Sequence, residues 1–214
     1  MALSKVDFNN INVTPSASKK LKWNSSANGF EAGDVGGNMI LLSTQTASSS
    51  STVSFTSGID STYKEYIFKF IDIHGSAQGS NYFQVNFRDG STDYDATKTT
   101  SLFRTYHFED DTAAAVAYEA EHDLSQSTGV LKIAQGVSTD NDHCTVGTLH
   151  LFDPSSTTFV KHFLSDTQTA HEDNASYRWF VSGYCNTTTA IDGVQFSMSS
   201  GNIDAGTIKM YGVS

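Results

Sequence analysis

Alternation of apolar and polar side chains in strand-length runs is the feature that most constrains the fold of this chain. In residues 82–88, Phe83, Val85 and Phe87 share one side of the backbone. Gln84 and Asn86 share the other side. A period of two residues is typical of a β-strand with one buried face, so this segment predicts such a strand.

The C-terminal segment repeats this alternation twice. Val194, Phe196 and Met198 alternate with polar residues, and Ile208 and Met210 do so again. The connection between the two runs, residues 200–206, contains Gly and Asn. Two alternating runs around a short loop predict an antiparallel hairpin.

Residues 63–73 carry apolar side chains at both odd and even positions. This predicts a strand buried on both faces. Further strand candidates are residues 39–43, 52–56, 104–108, 130–134, 145–152, 158–164 and 177–184. About ten strands separated by turn residues predict an all-β fold, an antiparallel two-sheet β-sandwich or jelly roll with at most one short helix.

Residues 110–121 are the one helical candidate. Asp110 and Asp111 precede an Ala-rich stretch, and acidic residues in a first turn suit the helix dipole. The stretch lacks a wide apolar stripe, so a strand or an exposed loop is the alternative.

The N-terminal region differs from the rest of the chain. Residues 16–20, 33–37 and 47–51 have the composition of loops or flexible stretches. We therefore expect residues 1–37 to form an arm or loop-rich attachment segment, whose first 25 residues become ordered on a partner, and residues 38–214 to form the β-sandwich domain.

Composition excludes several classes of protein. Ser and Thr occupy 53 of 214 positions, which suits the solvent face of antiparallel sheets. The net charge is −10, with only 13 Lys and Arg residues, which argues against a nucleic-acid partner. No apolar run is long enough for a signal peptide or a membrane span, so we expect a soluble protein made in the cytoplasm.

The two cysteines, Cys144 and Cys185, are isolated in the sequence. They are compatible with one disulfide or with two thiols. The missing secretory signal favours reduced thiols in a β core.

Histidines and acidic clusters are the candidates for metal binding. The seven histidines form no H-E-x-x-H motif, and only His150 and His162 are placed to face one another across a predicted hairpin. Polar neighbours on a wet face are the favoured interpretation of this pair. The acidic groups at 93–95, 109–111 and 140–142 lack EF-hand spacing and fit solvated loops. We assign no catalytic, cofactor-binding or metal-binding residues.

Carbohydrate chemistry needs either paired carboxylates or exposed aromatic rings. With 23 acidic residues a glycosidase pair is conceivable, but no motif selects one. Trp23, Tyr94 and Tyr106 are able to stack on sugar rings, although core packing is the commoner role of such residues. Asn12 and Asn186 match the glycosylation pattern, which has no meaning without secretion.

The C-terminal third carries a family resemblance. It rests on residues 149–163 with the Asp-Pro-Ser-Ser turn at 153–156, on 183–196, on the ending 199–213, and on the middle segment 55–63. These segments resemble structural proteins of marine tailed phages, including phages of cyanobacteria. The resemblance covers roughly residues 38–214.

This resemblance implies a non-enzymatic virion protein, on the tail fibre, neck or capsid surface, acting in assembly, attachment or stabilisation. Its expected partners are other capsid or tail proteins and copies of itself, with no nucleic acid, no membrane insertion and no cofactor. The alternative is a lectin-like module that binds host glycan through the loops between Asp89 and Asp111. A polysaccharide-cleaving enzyme is a further alternative.

Overall fold

A computed structural model describes residues 19–24, 26, 28–34 and 38–214. This part of the chain contains fourteen β-strands and no helix, and therefore no helix long and apolar enough to span a membrane. The all-β prediction is confirmed. The strands are β1 (Lys19–Trp23), β2 (Phe30–Asp34), β3 (Met39–Ser50), β4 (Thr52–Phe55), β5 (Glu65–Gly75), β6 (Tyr82–Arg88), β7 (Lys98–Phe108), β8 (Ala114–Tyr118), β9 (Leu131–Gln135), β10 (Thr145–Phe152), β11 (Lys161–His171), β12 (Ala175–Cys185), β13 (Gly193–Met198) and β14 (Ile203–Val213).

The chain divides into two compact units, Met1–Asn38 and Met39–Ser214. In the first unit, β1 and β2 form an antiparallel hairpin in which Trp23 pairs with Phe30. Their rings stack with centroids 4.4 Å apart. Loop-like structure was predicted at 16–20 and 33–37, but Lys20 and Gly33 belong to these strands. Residues 1–18 lie outside the described part of the chain, so the attachment arm stays a prediction.

The second unit consists of two antiparallel sheets. The larger has eight strands in the order β3-β14-β5-β10-β11-β12-β7-β8, and the smaller has four in the order β4-β13-β6-β9. Side chains from both sheets form one continuous buried cluster. The arrangement is consistent with the predicted β-sandwich.

Phe196 on β13 lies at the centre of this core. Its ring contacts Phe68 and Phe70 of the larger sheet, with centroid distances of 5.6 Å and 5.2 Å. It also stacks on Phe83 of the neighbouring strand at 5.6 Å. The apolar faces predicted for residues 82–88 and 194–198 are therefore the faces that join the two sheets.

The predicted C-terminal hairpin is wrong. β13 pairs with β4 and β6 in the smaller sheet, whereas β14 pairs with β3 and β5 in the larger sheet. The short connection thus crosses from one sheet to the other. Both strands bury their apolar faces against the opposite sheet, and this produces the same alternation that a hairpin would have.

Two further expectations are corrected. Residues 114–118 form β8, which pairs with the edge of β7, so the helix alternative for 110–121 is wrong. Hydrogen bonding to an existing edge outweighs the helix propensity of alanine here. Residues 47–50, predicted to be a flexible run, continue β3 alongside β14.

A bulge in β5 changes which side chains face the core. Asp72 has φ = 51°, and the register with β14 shifts opposite it, near Gly206 at φ = 121°. A Cβ atom on Gly206 would lie 2.7 Å from the Asp72 carbonyl oxygen, so this position needs glycine. As a result Ile73 is fully buried while Ile71 is 38% exposed, and burial on both faces holds only for part of the strand.

Candidate ligand-binding groove

The outer surface of the eight-stranded sheet carries an open groove of about 470 Å³. Five strands contribute to it: β7, β8, β10, β11 and β12. We call it the outer-face groove; its lining residues are Ser101, Leu102, Phe103, Tyr118, Thr148, His150, Leu164, Ser165, Asp166, Phe180, Val181 and Ser182.

Strand register arranges most of these side chains in two rows across the sheet. In the first row, Tyr118 pairs with Phe103, and Phe103 pairs with Phe180. Phe180 then pairs with Asp166, which pairs with Thr148. The row therefore begins with three aromatic rings and ends with two oxygen-bearing side chains.

The second row lies two residues away from the first along β7, β12, β11 and β10. Ser101 pairs with Ser182, Ser182 with Leu164, and Leu164 with His150. Because alternate residues of a strand face opposite sides, these side chains share the outer surface with the first row. Leu164 is 50% exposed at the middle of this row, and it adds to the apolar surface that the 43% exposed Phe103 leaves open to solvent.

The aromatic part of the groove is ordered by stacking. The Phe103 and Phe180 rings lie 4.8 Å apart with 16° between their planes. The Arg178 guanidinium carbon lies 4.6 Å from the centre of the Phe180 ring. Arg178 also donates two hydrogen bonds to Asp166, at 2.9 Å and 2.6 Å. The ion pair between Arg178 and Asp166 thus holds the Phe180 ring beside the Asp166 carboxylate.

Polar groups at the ends of the rows are also held in place. The His150 Nδ1 atom lies 2.6 Å from Glu65 Oε1, and the Ser101 and Ser182 hydroxyls are 2.8 Å apart. Tyr118 donates a hydrogen bond to Asp123, and this bond raises the pKa of the Tyr118 hydroxyl. These hydroxyl and imidazole groups are positioned to bind a polar ligand along its length.

A second depression of about 340 Å³ adjoins the outer-face groove and shares Ser101, Leu164 and Ser182 with it. His162 and Tyr184 lie there, paired across β11 and β12 with ring centres 6.0 Å apart. Together the two depressions form a continuous polar and aromatic surface.

The predicted histidine pair does not meet across the hairpin. His150 is opposite Leu164, so His162 is displaced from it by two residues along β11. His150 faces Glu65 instead. Among the residues that the structure describes, no group of three His, Cys, Asp or Glu side chains is placed to hold a metal ion.

The sequence candidates for sugar stacking lie elsewhere. Trp23 stacks on Phe30 in the N-terminal hairpin. Tyr94 lies beside Arg88, with 5.8 Å between ring centre and guanidinium, and Tyr106 packs against Tyr177. Among the acidic groups, Asp110 accepts hydrogen bonds from Thr112 in its own loop, whereas Asp140 and Asp142 lie 3.9 Å and 4.0 Å from His143.

The aromatic residues of the groove were missed by sequence reasoning. Residues 177–184 were predicted to be a strand. Because side chains alternate along a strand, Phe180 lies on the face away from the buried Trp179 and Val181. That outward position was the available signal. Of the segment 89–111 suggested for glycan binding, Ser101 and Phe103 do line the groove, but as strand residues of β7.

Both cysteines are free thiols in the described structure. Cys185 is fully buried, and desolvation raises the pKa of its thiol to about 12. Cys144 is partly exposed, and its pKa is raised by desolvation and by the neighbouring Asp72 carboxylate. Neither thiol lines the groove.

Comparison with protein-family models and with curated proteins finds no match for this chain. Its function is therefore argued from the geometry of the groove and from the sequence resemblance.

Proposed function

We propose that this protein is a non-enzymatic surface module of a tailed-phage particle that makes its external contacts through the outer-face groove. The resemblance over residues 38–214 supports the particle role. The observation that supports binding is the pair of side-chain rows built across five neighbouring strands. Its assembly partners would be other capsid or tail proteins and copies of itself.

The chemistry of the groove favours binding over bond cleavage. Among the lining residues, all in the described part of the chain, Asp166 is the one carboxylate, and Arg178 holds it in a two-bond pair. A glycosidase needs two carboxyl groups facing the scissile bond, one of them protonated. Both carboxylate oxygens of Asp166 already accept hydrogen bonds from Arg178, so neither is free to act on a scissile bond.

Host glycan is the ligand class that we propose for the groove. Sugar rings present apolar C–H faces and a rim of hydroxyls, which match the Phe103 and Phe180 rings and the hydroxyls of Ser101, Ser182 and Thr148. Four strand spacings of about 4.8 Å give a row about 19 Å long, enough for an extended chain. An open surface of this length suits a polysaccharide better than a small compact metabolite.

Mass spectrometry of purified infectious particles tests the particle role. We expect peptides of this chain to remain with the particles after density-gradient purification, and electron microscopy of a C-terminal label to place it on the outside. Particles that are infectious and lack the chain would contradict the proposal.

Binding to purified host polysaccharides tests the groove independently. The native protein is expected to retain at least one host polysaccharide on an array, and to leave its chain length unchanged after long incubation. An array without any bound polysaccharide would contradict the glycan proposal, and shortening of the polysaccharide would contradict the non-enzymatic role.

A further inference from the structure

A lysine is buried in the sandwich without a carboxylate to pair with it. Lys98, the first residue of β7, is 0% exposed. Its Nζ donates hydrogen bonds to Asn86 Oδ1 at 2.5 Å and to the Ala96 carbonyl at 2.7 Å, and it forms no ion pair in the described part of the chain. A buried ammonium with only neutral partners is costly, so burial shifts this side chain toward the neutral amine.

Asn86 on β6 presents its side-chain amide to this amine in a fixed orientation. The Phe87 backbone N–H donates to Asn86 Oδ1 at 3.1 Å, and Asn86 Nδ2 donates to the Thr128 carbonyl at 3.3 Å. Asn86 is itself only 7% exposed. The amide carbonyl is therefore polarised by a backbone donor on the same oxygen that the lysine contacts, in a site from which water is largely excluded.

Desolvation also activates the lysine as a nucleophile. It lowers the pKa of the Lys98 amine to about 8. Near neutral pH a larger fraction of this side chain is then unprotonated than in an exposed lysine, which is almost entirely charged. Neutral lysine in an apolar pocket is a known type of activated nucleophile.

We propose that Lys98 and Asn86 join spontaneously in an intramolecular isopeptide bond. Lys98 Nζ attacks Asn86 Cγ, and the N–C bond forms as the bond from Cγ to Nδ2 breaks. One hydrogen stays on the new amide nitrogen, and the other leaves with Nδ2 as ammonia. The Phe87 N–H stabilises the negative charge that develops on Oδ1 during the attack. No oxidant or cofactor is consumed.

The bond would connect the two sheets of the sandwich. Asn86 lies on β6 of the four-stranded sheet and Lys98 on β7 of the eight-stranded sheet. A covalent tie between sheets provides the resistance to unfolding that disulfides supply in oxidising compartments, and it forms without their redox chemistry.

Peptide mapping of the purified full chain tests the bond directly. Loss of ammonia lowers the mass by about 17 Da relative to the sequence. Trypsin is expected to release residues 70–88 joined to residues 89–104, with the site after Lys98 uncut. Separate unmodified peptides 70–88 and 89–98 would overturn the proposal.

Three variants distinguish formation of this isopeptide bond from other reactions that release ammonia. Asn86→Ala is expected to give unjoined peptides with the site after Lys98 cut. Lys98→Met removes that site and is expected to give residues 70–88 and 89–104 as separate peptides. Lys161→Met is the matched control, because Lys161 is also fully buried but its Nζ donates to the Thr187 carbonyl, and it should keep the joined peptide. If the mass deficit persists in Asn86→Ala and maps to Asn28-Gly29, a sequence prone to lose ammonia by cyclisation, the proposal is wrong.

Discussion

Phe103 and Phe180 stack ring on ring across β7 and β12, on the solvent side of the sheet, with centroids 4.8 Å apart. Phe103 is nevertheless 43% exposed. A stacked aromatic pair left partly open to water carries apolar surface that a ligand is able to cover. If the groove binds a ligand as we propose, replacing one ring of this pair should affect binding more than it affects the stability of the fold.

Replacing Phe180 by Ala is expected to weaken polysaccharide binding much more than it weakens the fold. The loss of one stacked surface partner should cost about 1 kcal/mol of unfolding free energy. Loss of a central aromatic contact should lower ligand affinity by about tenfold or more. Titration with a bound polysaccharide and urea denaturation measure the two effects.

Phe159→Ala is the matched control for this prediction. Phe159 is 70% exposed and does not line the groove. Its replacement should leave both affinity and stability unchanged. Equal affinities for the Phe180→Ala variant and the native protein would show that the groove is not the binding surface.

Replacing Phe196 by Ala is expected to destabilise the sandwich severely. Phe196 is fully buried and contacts aromatic rings from both sheets, including Phe68 and Phe83. Removing such a ring leaves a cavity, and the expected loss is about 3–5 kcal/mol of unfolding free energy. Chemical denaturation measures it, and a loss comparable to that of Phe159→Ala would contradict the central position of the ring.

The two thiols are expected to react in different states of the protein. Cys185 is buried with a pKa near 12, so it should resist alkylation until the chain unfolds. Cys144 is partly exposed and should be modified slowly in the native protein, because its pKa is also raised. Mass spectrometry after N-ethylmaleimide treatment distinguishes them, and native labelling of Cys185 would contradict its burial.

His171 is expected to make the fold less stable in acid. Desolvation lowers the pKa of His171 below its usual value of 6.5. Its Nδ1 accepts a hydrogen bond from the Asp173 backbone N–H, and its ring stacks on Tyr177 at 3.9 Å. The unfolded chain binds a proton at higher pH than the folded chain does, so the free energy of unfolding should fall as the pH drops below 6.5.

Urea denaturation at pH 8, 6.5 and 5 measures this effect. His171→Gln is expected to be less stable than the native protein at pH 8, but to lose less stability between pH 6.5 and 5. His107→Gln provides the control, because His107 is exposed and its ion-pair partner among the described residues is the exposed Asp111. An identical pH dependence in the native protein and His171→Gln would contradict the prediction.

The sequence by itself determined the fold class and the buried face of most strands. Phe83, Val85 and Phe87 point into the core as their alternation predicts, because the period of a strand is a local property of the backbone. The strand predicted at residues 145–152 has the bounds of β10. The strands predicted at 130–134 and 158–164 overlap β9 and β11, although β11 begins at Lys161 and continues to His171.

Only the tertiary structure decided which strands are partners. β13 and β14 alternate as a hairpin would, yet they belong to different sheets, since alternation records burial and carries no information on the hydrogen-bonded neighbour. The outer-face groove also depends on which strands are hydrogen-bonded neighbours. Phe103 and Phe180 are 77 positions apart (180 minus 103) and become a stacked pair only because β7 and β12 join in that register.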